Sequence, residues 1–394
     1  MENQIEQLSS LHREEMLELR RYIHKHPELS MEEKNTTALI RKKCLEYGLT
    51  EADISLASGA VFILNPEKAE KSIMFRADID ALPVAENTGL PFSSEVEGVC
   101  HSCGHDIHTT ALLFCARILS EIRGRLDGRV IFIFQPAEEI GRGSKEIIES
   151  GLFEKYPSQM IVGIHTWPEV PGGNIGIRKG PLMASADRIR ITVNGKGGHG
   201  AHPHKSVDPV LTAAYILTQL QSIVSRNVPP LESAVITIGK FNGGPAPNVI
   251  PDEASMEGTV RTFLPEIRDM IEKRITDTAT HIAASMGASC TVDYQRGGQP
   301  VICDDHVFSM IEQAGIDELG AGNVTYLETP SMGSEDFARY LDLIPGAMFR
   351  LGTANELPQT RFPLHNGSTI FDERAITVGG RVLSRIAFNY LQRL

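Results

Sequence analysis

Cysteine is scarce in this chain. Cys44, Cys100, Cys103, Cys115, Cys290 and Cys303 are the six in 394 residues, too sparse for a disulfide framework. Long apolar runs are missing as well: stretches such as Val130 to Phe134 fall far short of the roughly 20 residues of a membrane-spanning helix. That excludes a helical membrane protein. Positive charge is in deficit, with 38 Lys and Arg against 50 Asp and Glu and a formal charge of -12, so no basic field exists to attract a phosphate backbone. Nucleic acid is therefore not an expected partner. The opening MENQIEQLSSLHREEM lacks the basic start and apolar stretch of a secretory signal, and a cytoplasmic location is expected. Neither internal repeats nor low-complexity tracts are present, which argues against a solenoid or a tethered tail.

What is present fits an ordinary globular protein of two or three domains, at about 150 residues each. Leu11, Leu19 and Ile23 suggest one face of a helix from Ser10 to His26, stopped by Pro27. Ser30 and Glu33 read as a capping box for a second helix that Gly48 closes. Short apolar runs at Ala60 to Leu64, Ile73 to Ala77, Val130 to Phe134 and Met160 to Ile164 read as buried strands, with helices near 107–123 and 144–150 between some of them. Strands alternating with helices predict an α/β fold with a covered sheet.

The texture changes near Ala186. Alternation at Ile189, Ile191 and Val193, a Gly- and His-rich turn, helices near 208–225 and 265–286, and strands near 234–241, 254–263 and 290–294 form a second strand-helix set. A helix at 305–319, a strand at 347–351 and a last helix at 372–391 could rejoin the first sheet. The expected organisation is a domain of 1–186 plus 301–394, interrupted by an inserted α+β domain of 187–300.

Ligands of open α/β sheets gather beyond the carboxyl ends of the strands. Four polar stations occupy such places. Asp78-Ile-Asp80 follows one strand, Gln135-Pro-Ala-Glu138-Glu139 another and His165 a third, while Cys100-His-Ser-Cys103-Gly-His105-Asp106-Ile-His108 precedes a helix. Cys103, His105, Glu139 and His165 supply the thiolate, imidazole and carboxylate donors that zinc or manganese takes, and a hydrolytic metal pair needs a bridging ligand and an open position. With Glu139 turned to metal, Glu138 is free to handle the proton of a water.

Other readings compete. The Cys100/Cys103 pair could be half of a structural zinc site, although no second pair follows at the usual spacing, or a redox dithiol. Cys103 could be a nucleophile with His165 or His199 as base, and Glu138 and Glu139 could be a solvated pair. His12, His24, His26, His101, His281 and His306 read as surface or packing residues.

Eight ordered stations, FRADIDALP (75–83), CHSCGHDIHT (100–109), FQPAEE (134–139), GIHTWP (163–168), GKGGHGAHPH (195–204), NVIPDEA (248–254), GSEDFA (333–338) and PLHN (363–366), span most of the chain. At these residues it resembles the metallopeptidase family of aminoacylases, carboxypeptidase G and the amidohydrolases that cleave N-acyl and indoleacetyl amino acids. The resemblance implies an α/β catalytic domain with a mostly parallel central sheet, two divalent ions per chain, and a ferredoxin-like inserted domain serving as lid and as the contact of a homodimer or homotetramer. It implies that Cys103 bridges the ions, that His105, Glu139, His165 and His365 complete the ligands, and that Glu138 is the base. His365 comes from the resemblance alone. Where the wider family has a metal-binding His, this chain has Asp78, as in the Cys-containing subgroup, so Asp78, Asp80 and Asp106 are expected to support ligands. His199 is implied as an oxyanion donor, and Asn248 and Arg261 as holders of the substrate carboxylate. Sulfur favours zinc, while relatives of the subgroup are often assigned manganese, so both stand.

The implied activity is hydrolysis of an N-acyl amino acid or short peptide. The alternatives are a carboxypeptidase or dipeptidase, an aminobenzoyl-glutamate hydrolase, an N-acetyl-diaminopimelate deacetylase and, from another class, a catalytically silent scaffold.

Overall fold

The computed structural model describes residues 3 to 392, which divide into two compact units. The first holds the chain up to Leu182, Ile302–Thr329 and the part from Asp336 onward; the second holds Met183–Val301 with Pro330–Glu335. Composition near 187 and 300 pointed to a division there, but nothing in it marked the return of 330–335.

The first unit is built on an eight-stranded sheet in the spatial order Thr50–Glu51, Ala60–Leu64, Arg129–Gln135, Ser72–Asp78, Met160–Pro171, Gly346–Ala354, Ile175–Ile177, Val324–Tyr326. Its centre is parallel, Ser72–Asp78 lying between Arg129–Gln135 and Met160–Pro171, with Gly346–Ala354 continuing in the same direction. Ala60–Leu64 is antiparallel to its neighbour. Every residue of Ala60–Leu64, Ser72–Asp78, Arg129–Gln135 and Gly346–Ala354 is buried. Since successive side chains point to opposite faces, both faces are covered, which is why these strands are continuous apolar runs. Phe62, Phe75, Phe132 and Phe349 are fully buried there, and truncating one to Ala costs about 3–5 kcal/mol.

Helices Asn3–Lys25, His105–Glu121 and Arg374–Leu391 pack on one another. Close approach depends on a glycine pair: a Cβ on Gly379 would lie 2.9 Å from the Ala111 Cβ, and one on Gly380 2.8 Å from the Phe114 Cβ. Because the central strands are parallel, their carboxyl ends share one edge, and the segments after Asp78, Gln135 and Ile164 start there.

The second unit is an antiparallel four-stranded sheet in the order Ala234–Gly243, Glu253–Thr262, Ala186–Asn194, Ser289–Gly298. With helices Pro209–Asn227 and Pro265–Ser285 it is a β-α-β-β-α-β, ferredoxin-like arrangement. Ile189, Ile191, Val193, Met256 and Val260 pack with Ile216, Leu220, Ile271 and Ile275 into its core. Asp208 caps the first helix, its carboxylate accepting from the Val210 and Leu211 N–H groups, just before a proline at the first helical position.

Two local expectations are corrected. The first helix begins by Asn3, and Leu11, roughly 80° and 120° around the axis from Leu19 and Ile23, is 70 % exposed; Ile5, Met16, Leu19 and Ile23 form the buried stripe. Ser30 and Glu33 make no capping box, because both side chains are engaged elsewhere: Ser30 donates to Asp80 at 2.7 Å, and the buried Glu33 carboxylate accepts from Ser58 and from the Ala137 N–H. Helix Lys34–Glu46 is capped from outside by Glu28, which accepts from the Asn35 and Thr36 N–H groups.

Candidate metal centre

The station at Cys103 turns sharply into helix His105–Glu121. Gly104 sits at φ +82°, and a Cβ there would lie 2.7 Å from Thr166 Oγ1, so both the backbone angle and the space require glycine. His105 donates from Nδ1 to Asp80 Oδ1 at 3.2 Å. The other Asp80 oxygen accepts from Ser30 and, at 3.0 Å, from the Glu139 N–H. One carboxylate thereby fixes both an imidazole and the backbone of a second donor, leaving His105 Nε2 and Glu139 Oε1 buried with no hydrogen-bond partner among the described residues.

His165 donates from Nδ1 to the Thr166 carbonyl at 2.8 Å, so Nε2 carries a lone pair 3.6 Å from Cys103 Sγ. His365 Nε2 lies 3.4 Å from Glu139 Oε2. The ring is half exposed, on a residue at φ 64°, an angle uncommon for a side-chain-bearing residue. Donor atoms of Cys103, His105 and His165 lie within 4.8 Å of one another, as do those of Cys103, Glu139 and His365, and those of His105, Glu138 and Glu139. The three groups share members, so the five expected donors and Glu138 form one cluster. Ala137, immediately before the two acids, is left-handed at φ 53°, its N–H held by Glu33 at 2.8 Å.

The two remaining aspartates are engaged differently. Asp78 takes Arg76 at 2.6 Å on one oxygen and His108 at 2.5 Å on the other. Asp106 accepts from His24 at 2.8 Å, with Arg20 Nε 2.7 Å away. Reading His24 as an ordinary surface or packing residue is thus corrected: it is buried in a charged chain that runs from Arg20 and Asp106 to Glu86. His101 is buried as well, and burial pulls its pKa down to about 4. The sequence assigns His108 no role, since what sets it apart from His105 is its bond to Asp78, 30 residues away. Alternation of buried charge with buried imidazole is visible only once the strand ends converge.

Burial pushes the Cys103 thiol well above its ordinary value, reinforced by Glu139. A divalent cation reverses that sign and deprotonates a coordinating thiol. Burial, with His108 and Arg350 adding to it, holds His165 well below its ordinary value, the neutral form that ligates. His365 moves up through its hydrogen bond to Glu139.

His199, Asn248 and Arg261 belong to the second unit. His199 is exposed, its Nδ1 accepting from the Ala201 N–H at 3.1 Å. Asn248 is exposed, its carbonyl accepting from Gly200. Arg261 is half-buried with a buried Nη1 that has no hydrogen-bond partner among the described residues, and burial lowers its pKa.

Residues 74–389 match the model of peptidase family M20/M25/M40. The chain belongs to that family. It is a hydrolase, of the amide-cleaving kind. It is 39% identical over 370 residues to an N-acetyl-L-cysteine deacetylase of Bacillus subtilis, covering 94% of this chain and 86% of the relative. A thermostable carboxypeptidase of Saccharolobus solfataricus is 34% identical over 384 residues, covering 95% of each. A crystal structure of a dinuclear metal binding peptidase from Bacillus subtilis superimposes with a TM-score of 0.85 at 35% identity, over 97% of this chain and 99% of the other.

Proposed function

We propose that the protein hydrolyses N-acyl amino acids to free amino acids, using two divalent cations held by Cys103, His105, Glu139, His165 and His365. The observation that carries this is that His105 Nε2 and Glu139 Oε1, buried and 3.7 Å apart, have no hydrogen-bond partner among the described residues inside a cluster that also holds a thiol and two further imidazoles. Leaving one such atom unpartnered costs about 1–3 kcal/mol, a cost that a cation offsets. Thiolate favours zinc, while carboxylate and imidazole also suit manganese. Cys100 shares none of these donor groups among the described residues, so the half-site reading has no structural support. A thiol nucleophile would have no use for Glu139, His165 and His365.

When bound, the cations polarise the amide carbonyl and lower the pKa of water toward about 7. Glu138 accepts the proton of the attacking water and passes it to the leaving nitrogen. His105 is kept in one tautomer by Asp80, so its lone pair faces the cluster. His199 supplies a donor to the oxyanion, and Asn248 and Arg261 hold the substrate carboxylate, for which a guanidinium fork matches two oxygens. The same reading includes a cytoplasmic location and self-association as a homodimer or homotetramer through the second unit. Among the described residues no helix is long and apolar enough to cross a membrane.

The deacetylase relative favours acyl amino acids, and the carboxypeptidase relative favours a second reading, cleavage of short peptides. Metal-loaded protein assayed on N-acetyl amino acids, aryl-acyl amino acids and dipeptides separates them. Higher kcat/KM on acyl amino acids is expected. Turnover of dipeptides alone moves the assignment to a dipeptidase, and no turnover of any of them contradicts both.

A further inference from the structure

The strand Met160–Pro171 has a neighbour on each side only at its start. Toward Ser72–Asp78 the pairing runs from Met160 to Gly163 and stops, while Gly346–Ala354 accompanies the other side beyond Thr166. The Thr166 N–H has therefore lost its strand partner in a fully buried position, where an unpaired donor is costly. His108 takes it: the N–H donates to His108 Nε2 at 2.7 Å. That bond fixes the tautomer, because Nε2 can accept only as a lone pair, and the Nδ1 proton goes to Asp78. Both nitrogens of His108 are thus committed, and His108 is not a ligand although it lies among the donors.

The other atoms of Thr166 reach the donors themselves. Its hydroxyl donates to the Cys103 carbonyl at 2.7 Å, and its own carbonyl accepts the Nδ1 proton of His165 at 2.8 Å. Gly104 packs against the same side chain. One residue therefore joins the peptide of Cys103 to the ring of His165, whose ligating atoms are 3.6 Å apart.

We propose that Thr166, anchored by the Asp78 and His108 pair, is a positioning residue that sets the spacing of Cys103 and His165 so that they share one cation. This rests on the reading of those two residues as ligands. Removing the hydroxyl frees the Cys103 peptide, and loss of a group that orients a ligand weakens metal binding by about 10–100-fold.

The test is zinc affinity of each site, measured on apoprotein by competition with a chromophoric chelator, for wild type, Thr166→Val and Thr166→Ser. Thr166→Val is expected to bind one of the two zinc ions about 10–100-fold more weakly, with Thr166→Ser close to wild type. A purely structural role would lower the melting temperature of apo Thr166→Val and leave the zinc affinity of the folded protein unchanged; that result overturns the proposal. If Thr166→Val does not fold, Thr166→Ala is compared with Thr166→Ser, and equal affinities overturn it while weaker binding by Thr166→Ala supports it. Cys103→Ala and His165→Ala, run alongside, separate the two levels. Wild-type affinity in both of these would refute the ligand reading, whereas loss there with unchanged Thr166→Val refutes the positioning role alone.

Discussion

Glu138 and Glu139 are neighbours in sequence with different surroundings. The Glu139 backbone is tied to Asp80 and one of its oxygens is buried without a hydrogen-bond partner, whereas Glu138, also part-buried, shares a donor group with His105 and Glu139. Glu138→Gln is expected to keep both metals and lose turnover by about 10²-fold or more, since an amide cannot carry the proton. Glu139→Gln is expected to lose metal. Elemental analysis and initial rates on the same samples check this, and the reverse pattern would exchange the two roles. These acids, Cys103, His105 and His165 were legible because each follows a buried strand run or opens a helix. His365 was not, since it stands in a turn with no apolar run before it and owes its place to a left-handed backbone. The role of His24 was hidden for another reason: its partners Asp106 and Glu86 are 82 and 62 residues away.

That chain of charges also gives a pH dependence. Burial and Arg20 pull His24 down, but Asp106 and Glu86 outweigh them and hold its pKa above the ordinary 6.5. A raised histidine stabilises the fold while protonated, fully below its unfolded value and no longer once pH rises through the folded one. Glu86 behaves oppositely: burial pushes it up, yet His24, Thr88 and the Ser94 N–H bring it from 4.5 to about 2. Its contribution is present above 4.5 and fades as pH falls toward about 2. The thermal stability gap between wild type and His24→Gln is therefore expected to be widest between pH 4.5 and 6.5 and to shrink as pH rises past His24's folded value. A gap that does not change over that rise contradicts the assignment.

At the scale of elements, the continuous apolar runs located the central strands because both faces are covered. Met160–Pro171 was expected to stop at Ile164. It continues because beyond Gly163 it is paired on one side, where Pro168 and Pro171 are tolerated as on any half-free strand. Helix starts were less legible, since capping is a competition: Ser30 and Glu33 have the right spacing, but better partners lie in remote segments. In the second unit a buried ion pair ties strand to helix. Arg268 donates from Nε to Asp187 at 2.8 Å, and Asp187 also takes Tyr294 at 2.7 Å and the Gly297 N–H. Asp187→Ala leaves a buried guanidinium without its carboxylate and is expected to cost about 3–5 kcal/mol, while a double change of Asp187→Leu with Arg268→Met costs less. Urea midpoints of the two variants measure it; a smaller loss in the single variant than in the double one would contradict the account.

At the scale of the whole molecule, Asp80, Cys103, Glu139, His165 and His365 come from five separate stretches, and the parallel sheet gathers all but the last at one edge. Fold class followed from the alternation of strands and helices, while the return of 330–335 to the second unit did not, because six residues carry no periodicity to read. The assembled site implies that Cys103 is shielded when metal is bound. Iodoacetamide is expected to leave Cys103 unlabelled in metal-loaded protein, and rapid labelling of Cys103 there would reject it as a ligand. The central claim, hydrolysis by a site that needs two cations, is tested most directly by titrating chelated apoprotein with zinc or manganese while following hydrolysis of an N-acetyl amino acid. Activity near zero in the apoprotein, rising to a plateau at two equivalents per chain, is the expected result; full activity in protein with only trace metal would contradict it.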